Sequence, residues 1–256
     1  MDRAIKKKAL LLKSWHAELG AMRKLASEYF YVRVRGSDYR LISLSPKNPC
    51  GRLIRKGTGT IIDGSSTIEA AIKNAKVADV AESYDPKTKN KKPEHRMQAA
   101  MIWHALLNDL YLHGMFDGFN DVFDELYFVT DELATEVSGK KIRADIIALG
   151  GMRGKYFPVL IELKAGRDLG RLLQQLKDAK EAIKETGEDS TLLLSNATGK
   201  PAKDIQLDNA QMLIVWTDSP TGRERNEVSE ARSAGFLVSV FDPSSQSIQR
   251  SLKEQQ

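Results

Sequence analysis

The sequence predicts an α/β domain with a mixed sheet flanked by helices, preceded by an N-terminal α+β region. Residues 141–164 contain two apolar runs of strand length on either side of a glycine-rich connection, GMRGK. This pattern is typical of a strand, a tight turn and a second strand. A helix with apolar periodicity follows over about residues 168–185, and strands and helices continue to alternate as far as residue 241. Because both predicted strands are apolar on both faces, we expect a central sheet covered on each side.

The composition is that of a soluble globular protein with a substantial core. The chain has 256 residues, of which 41% are hydrophobic and 29% are charged, and no run approaches membrane-spanning length. The net charge of +5 and the pI of about 9.1 favour a polyanionic partner such as nucleic acid. Cys50 is the single cysteine, which excludes an intramolecular disulfide and a cysteine-based zinc site. We therefore expect a reducing, cytoplasmic location.

The polar, lysine-rich stretch DPKTKNKKP at residues 85–93 predicts a boundary between two parts of the chain. Residues 1–90 are expected to form the α+β region, and residues 91–256 the main α/β domain. The first part is predicted to contain helices, a β-hairpin and one further strand. These are a helix over 4–30, a hairpin over 30–44, a strand at 58–62 and a helix over 66–82.

Basic residues in the predicted N-terminal hairpin and the loop after it are candidates for binding nucleic acid. Arg33 and Arg35 fall on one face of the first strand, and Tyr31 lies beside them. Basic side chains can contact phosphates while an aromatic ring stacks on a base. The alternative is that this face is simply solvated. The candidates in the loop are Arg52, Arg55 and Lys56.

Three charged residues interrupt the apolar strands of the main domain: Asp145 in the first strand, and Glu162 and Lys164 in the second. Side chains alternate along a strand, so Glu162 and Lys164 share a face about 7 Å apart. If the strands pair as a hairpin, Asp145 can lie toward the same face. Charges in such strands cost several kcal/mol unless they are paired, solvated or bound to a metal. The sequence therefore predicts a compact site with two acids and one ammonium group.

A divalent cation, Mg²⁺ or Mn²⁺, is the expected partner of these acids. The carboxylates of Asp145 and Glu162, with the backbone carbonyl of Leu163, suit a hard cation that keeps several waters. Such an ion can acidify a bound water, while Lys164 holds that water or neutralises charge on a phosphate. The expected chemistry is metal-dependent phosphodiester hydrolysis. The alternative is that Lys164 forms a structural ion pair with one of the acids.

These residues have a characteristic spacing. Sixteen residues separate Asp145 from the tripeptide Glu162-Leu163-Lys164, and both lie on a predicted hairpin that a helix follows. This pattern resembles the PD-(D/E)xK nuclease superfamily, which has the restriction-endonuclease-like fold. The resemblance covers residues 94–195 and continues toward 241, and Ala144 stands where the name-giving proline would be. In that superfamily the positions matching Asp145 and Glu162 bind the metal, and the position matching Lys164 assists catalysis.

The helices on either side of the hairpin carry two further candidates. A helix is predicted over residues 94–113, and Glu94 lies on the side of its first turn that packs on the protein. The superfamily often has one more acid on the helix before the sheet, and Glu94 resembles it; the alternative is that this acid only favours the helix dipole. In the helix after Lys164, Gln175 resembles a glutamine that some relatives, including the RecB-like nucleases, bring to the site.

The remaining elements of the main domain follow from apolar runs and turn residues. The predicted strands are at 126–130, 133–137, 190–194, 211–216 and 236–241, with a helix over about 223–233.

Our principal hypothesis is a metal-dependent nuclease, with DNA favoured over RNA as the substrate. A second hypothesis is a binding module for nucleic acid or protein on the same fold, because a fold alone does not confer activity. A third is a nuclease subunit that is active only in a complex, since the first helix offers a face for a partner protein or a second copy of the chain.

Overall fold

The computed structural model describes residues 5, 19–35, 38–45, 93–112, 115–116, 122–137, 140–165, 169, 172–216 and 225–241. A mixed five-stranded sheet is flanked by helices and accompanied by an N-terminal α+β region. This architecture confirms the predicted fold class. No helix in these residues combines the length and the apolar character needed to cross a membrane.

The α-helices of the described residues are α1 (Leu19–Ser27), α2 (Pro93–Leu107), α3 (Leu172–Glu185), α4 (Gly187–Thr198) and α5 (Arg225–Ser233). Four of them, α1, α2, α3 and α5, lie in or close to ranges predicted as helical, whereas α4 was not predicted as a helix.

The strands form two separate sheets. They are β1 (Phe30–Arg35), β2 (Asp38–Ser43), β3 (Glu125–Val137), β4 (Lys140–Met152), β5 (Lys155–Lys164), β6 (Gln211–Trp216) and β7 (Leu237–Val240). β1 and β2 make the predicted antiparallel hairpin, and the larger sheet has the order β3-β4-β5-β6-β7. Pairing is antiparallel from β3 to β5 and parallel from β5 to β7. The predicted hairpin of β4 and β5 thus lies at the centre of a mixed sheet.

The turn between β4 and β5 is tighter than the predicted connection. Met152 pairs with Lys155, which leaves two residues in the turn. Arg153 and Gly154 have φ values of 51° and 75°. Two positive φ values in a two-residue turn match the right-handed twist of a hairpin, and glycine adopts them without steric cost.

Gly151, which the sequence places in the connection, belongs to strand β4 together with the preceding Gly150. Their small size has a packing reason. A Cβ atom at Gly150 would come within 2.9 Å of the Phe123 ring, and one at Gly151 within 2.9 Å of the Tyr156 ring. These glycines therefore allow aromatic rings to lie directly on the strand.

The prediction of a strand at residues 190–194 is wrong, because these residues belong to helix α4. The apolar run in this segment is short, and such a run fits a strand or a buried helix equally well. The wider burial pattern is helical: Ser190, Leu193, Leu194 and Ala197 are buried, at steps of three, one and three residues. Gly199 ends the helix with φ 71°, and its N–H donates to the Ser195 carbonyl at 2.8 Å.

Two other elements differ from the prediction in their limits. Helix α2 ends at Leu107, before the expected residue 113, because Asp109 and Leu110 have positive φ values that a helix cannot continue through. The strands predicted at 126–130 and 133–137 form one strand, β3, with a register shift between Phe128 and Thr130. This irregularity is a β-bulge, which bends a strand without ending it.

The described part of the N-terminal region packs directly on the main domain. The Trp103 Nε1 of α2 donates to the Ala26 carbonyl at 2.9 Å, and its ring stacks on Tyr29 with centroids 5.7 Å apart. Buried apolar residues from both parts belong to one core. The predicted strand at 58–62, the helix over 66–82 and the boundary near residue 90 lie outside the described residues.

Candidate active site

The three charged residues of the predicted motif meet at one end of the β4–β5 hairpin. The register of this pair places Ile146 opposite Ile161. Continued by one residue, it places Asp145 opposite Glu162, and directly opposed residues in an antiparallel pair share a face. Lys164 shares the face of Glu162 because side chains alternate along a strand.

The two strands separate at this point, and side chains replace part of the ladder. Ile146 and Ile161 form the last pair between β4 and β5. Beyond it, the Leu163 N–H donates to the Asp145 carboxylate at 2.9 Å. In a strand the N–H and C=O of one residue point to the same side, so the Leu163 carbonyl is also directed toward β4. The space between the separated strand ends is therefore lined by carboxylate and carbonyl oxygen atoms.

Lys164 and Glu162 form an ion pair inside this gap. The Lys164 Nζ lies 2.9 Å from Glu162 Oε1, and the exposed fractions of the two side chains are 28% and 12%. Burial lowers the pKa of Lys164, but Glu162, Asp145 and Glu94 outweigh this effect and raise it above its ordinary value. Lys164 therefore remains a cation whose ammonium group faces the acids.

Glu94 lies beside the same strand end, as its place in the first turn of α2 predicts. Its Oε1 accepts the N–H of Ala165 at 3.2 Å. Ala165 directly follows Lys164, so this bond joins the start of α2 to the end of β5. Glu94 also acts electrostatically on Asp145 and Lys164. A third carboxylate thus belongs to the site, and we call Glu94, Asp145, Glu162 and Lys164 the acid–lysine cluster.

The acid–lysine cluster has more negative than positive charge. Burial, followed by the charges of Glu162 and Glu94, raises the pKa of Asp145 to about 7, although the Leu163 N–H and Lys164 oppose the increase. Three carboxylates share one ammonium group, so ionising all of them in a partly buried gap is unfavourable. A proton or an additional cation stabilises this arrangement.

The residues of the cluster suit a hard divalent cation. Asp145, Glu162 and the Leu163 carbonyl supply only oxygen atoms, which Mg²⁺ and Mn²⁺ prefer, and Mg²⁺ commonly uses one or two protein carboxylates while keeping several waters. Burial and then the charges of Glu162 and Glu94 raise the pKa of Asp145, and a cation bound beside it would favour the ionised carboxylate. Within the part of the chain that the structure describes, no group of three or more His, Cys, Asp or Glu side chains is already arranged around a metal position.

Of the other predicted site residues, the structure describes the side chains of Gln175 and Arg33. Gln175 lies on α3 with an exposed side chain. Arg33 is 6% exposed and its Nε donates to the Asp131 carboxylate at 2.6 Å, an arrangement that favours a structural role over contact with nucleic acid. Arg35 is the last residue of strand β1, and its side chain lies outside the described part of the structure. The predicted loop residues Arg52, Arg55 and Lys56 lie outside the described residues.

Sequence reasoning missed one residue that contacts the site. Gln98 is buried on α2, and its Nε2 donates to the main-chain carbonyl of Asp145 at 3.2 Å. Its position four residues after Glu94 was the available signal, since residues at this spacing share a helix face. A glutamine within an otherwise apolar stripe did not stand out by composition.

Comparison with known proteins adds little to this geometry. No protein-family model and no curated protein matches the sequence. Among solved structures, the chain is similar to protein VC1899 from Vibrio cholerae, with 11% identity and a TM-score of 0.30. The match covers 98% of this chain but 56% of that protein, so the chain spans little more than half of its length. A similarity this weak supports no conclusion about fold or function.

Proposed function

We propose that this protein is a metal-dependent nuclease of the PD-(D/E)xK type, which hydrolyses phosphodiester bonds. The observation that supports this best is the acid–lysine cluster itself. Glu162 pairs with Lys164, while Asp145 and Glu94 accept the backbone N–H groups of the residues on either side of this lysine, Leu163 and Ala165. A structural ion pair would need one acid for one lysine, whereas this site has two further acids. The excess is what a cation-dependent hydrolase requires.

Each residue of the cluster has a role in the proposed reaction. Asp145 and Glu162, together with the Leu163 carbonyl, would hold the metal. When bound, a divalent cation supplies a more acidic water and polarises the phosphodiester. Lys164 remains protonated, so it acts as a hydrogen-bond donor and a positive charge rather than as a general base. It would orient the attacking water or stabilise charge on the phosphate. Glu94 holds the end of β5 through Ala165.

Nucleic acid, with DNA favoured, is the proposed substrate. The net charge of +5 supports a polyanionic partner. The described N-terminal hairpin contributes through packing, since Arg33 is buried against Asp131. Basic residues of the loop at 52–56 remain the proposed nucleic-acid contacts of that region.

A cleavage assay tests the proposal. Wild type would be incubated with supercoiled plasmid, linear duplex, single-stranded DNA and RNA, each with Mg²⁺, Mn²⁺ or EDTA. We expect cutting that requires the metal, and a loss of about 100-fold or more in Lys164→Met, because a charge that stabilises the transition state is removed.

Lys155→Met is the matched control for this assay. Lys155 begins the same strand and forms an exposed ion pair with Asp204 at 3.0 Å, so its variant should cut like wild type. Normal cutting by Lys164→Met would show that the site is wrong. Folded wild type that cuts none of the substrates would favour the binding module or the subunit that needs a complex.

A further inference from the structure

Asp145 occupies an irregular position in the sheet. On the β5 side, pairing ends at Ile146 and does not include Asp145. On the β3 side, Asp131 pairs with Ile146 and Leu133 pairs with Ala144, and Asp145 between them is again not paired. Among the described residues, Asp145, the proposed metal ligand, therefore belongs to neither the β3–β4 ladder nor the β4–β5 ladder. Its backbone needs another means of support.

The interruption on the β3 side has a visible cause. The register places Glu132 opposite Asp145, but Glu132 has a φ of 44°. A left-handed backbone is unfavourable for a residue with a Cβ atom and does not continue a ladder. The Glu132 carboxylate lies 3.0 Å from the Arg33 guanidinium. This edge of the sheet thus cannot hold Asp145 by ordinary strand pairing.

Gln98 supplies a hydrogen bond at this interruption. Its Nε2 donates to the Asp145 carbonyl at 3.2 Å, and its side chain is 3% exposed. A buried amide group costs free energy unless it is hydrogen-bonded, so a glutamine at this position is not a neutral choice. The hydrogen bond to Asp145 is a contact that an apolar residue at this position could not make.

The same helix face also holds the other strand of the site. Glu94 lies one turn before Gln98 and accepts the Ala165 N–H at the end of β5. Helix α2 is therefore hydrogen-bonded to β4 at Asp145 and to β5 at Ala165, just beyond Lys164. Because a helix is rigid over one turn, these two bonds fix how far apart the separated strands stand.

We propose that Gln98 is a positioning residue that holds Asp145 at the distance from Glu162 that metal binding requires. This inference rests on the proposed function and names a residue that touches neither metal nor substrate. Groups that orient metal ligands typically change metal affinity or activity by about 10- to 100-fold when they are removed.

The test measures Mn²⁺ binding by calorimetry, without substrate, together with chemical unfolding of each variant. Gln98→Met keeps the length of the side chain but removes the donor. Gln211→Met is the matched control, because Gln211 also donates an amide hydrogen bond to a main-chain carbonyl, that of Asn209 at 3.1 Å, at the start of β6. Asp145→Asn reports on the proposed metal site itself.

We expect wild type and Gln211→Met to bind Mn²⁺ equally and Gln98→Met to bind it about 10- to 100-fold more weakly. Wild-type affinity in folded Gln98→Met overturns the proposal for Gln98, even if its stability falls, and leaves the proposed function intact. If wild type itself binds no Mn²⁺, or Asp145→Asn binds it equally well, the proposed metal site is wrong. Should Gln98→Met fail to fold, Gln98→Asn retains a polar amide that is one methylene too short, and the same outcomes apply.

Discussion

Two clusters of charged residues lie next to each other in the sheet. Asp131 of β3, in the first, pairs with Ile146 of β4, and Ile146 directly follows Asp145, in the second. The first cluster comprises Tyr31, Arg33, Asp131 and Glu132, and we call it the arginine cluster. The second is the acid–lysine cluster. Their comparison separates charges that the chain neutralises by itself from charges that it does not.

In the arginine cluster the fully buried acid has its partners within the chain. Asp131 is 0% exposed, and its two carboxylate oxygens accept bonds from Arg33 Nε at 2.6 Å and from the Tyr31 hydroxyl at 3.0 Å. Burial and then the charge of Asp131 raise the pKa of Tyr31, so its hydroxyl keeps the proton that it donates. Glu132, the second acid, is 43% exposed and is stabilised by water as well as by Arg33.

In the acid–lysine cluster the acids outnumber their partner. Lys164 bonds to Glu162, while Asp145 receives one backbone N–H and Glu94 another. Burial, together with the charges of the neighbouring acids, raises the pKa of Asp145. The complete pairing of buried Asp131 is typical of a structural role, whereas the partly buried excess of acids around Lys164 is the feature on which the proposed cation site rests.

Removing the arginine has the largest expected effect on stability. Arg33→Met leaves the Asp131 carboxylate buried without a cation, which should lower the free energy of unfolding by about 3–5 kcal/mol. Lys155→Met, which removes one partner of an exposed ion pair, should change it by less than about 1 kcal/mol. Urea denaturation at neutral pH measures both. If Arg33→Met matched Lys155→Met, the arginine cluster would not be the structural support described here.

Asp145 should show the opposite behaviour, with a smaller effect. Its folded pKa of about 7 lies above the ordinary value of 3.8, so the folded protein keeps a proton that the unfolded chain has lost. Stability attributable to this group is therefore present below about pH 4 and is lost as the pH rises through about 7. In EDTA at pH 8, Asp145→Asn should be more stable than wild type, by on the order of 1–2 kcal/mol.

Unfolding curves in EDTA between pH 4 and 8 measure this dependence. The difference between Asp145→Asn and wild type should grow with pH over that interval, and added Mn²⁺ should stabilise wild type at pH 8 without stabilising the variant. A constant difference across the interval would mean that folding does not raise the pKa of Asp145.

The sequence was sufficient to predict the central hairpin, the motif on it and the acid at the start of α2. These features depend on local patterns: apolar strands around a tight turn, charges at two-residue spacing, and an acid in a first helical turn. The predicted strand at 190–194 failed because a short apolar run fits a strand and a buried helix equally well. The sequence predicts a surface position for Arg33, and its burial was not predictable because its partner, Asp131, is 98 positions away in the chain. Gln98 was missed for a similar reason, since its hydrogen bond to the Asp145 carbonyl is visible only in three dimensions.

The most direct test of the account is to locate the cation. Crystals grown with Mn²⁺ would be measured at a wavelength where manganese scatters anomalously, for wild type and for Asp145→Asn. We expect one strong anomalous peak at Asp145 and Glu162 in wild type, and none there in the variant. A wild-type protein with no peak at these carboxylates, or with the same peak in the variant, would contradict the account.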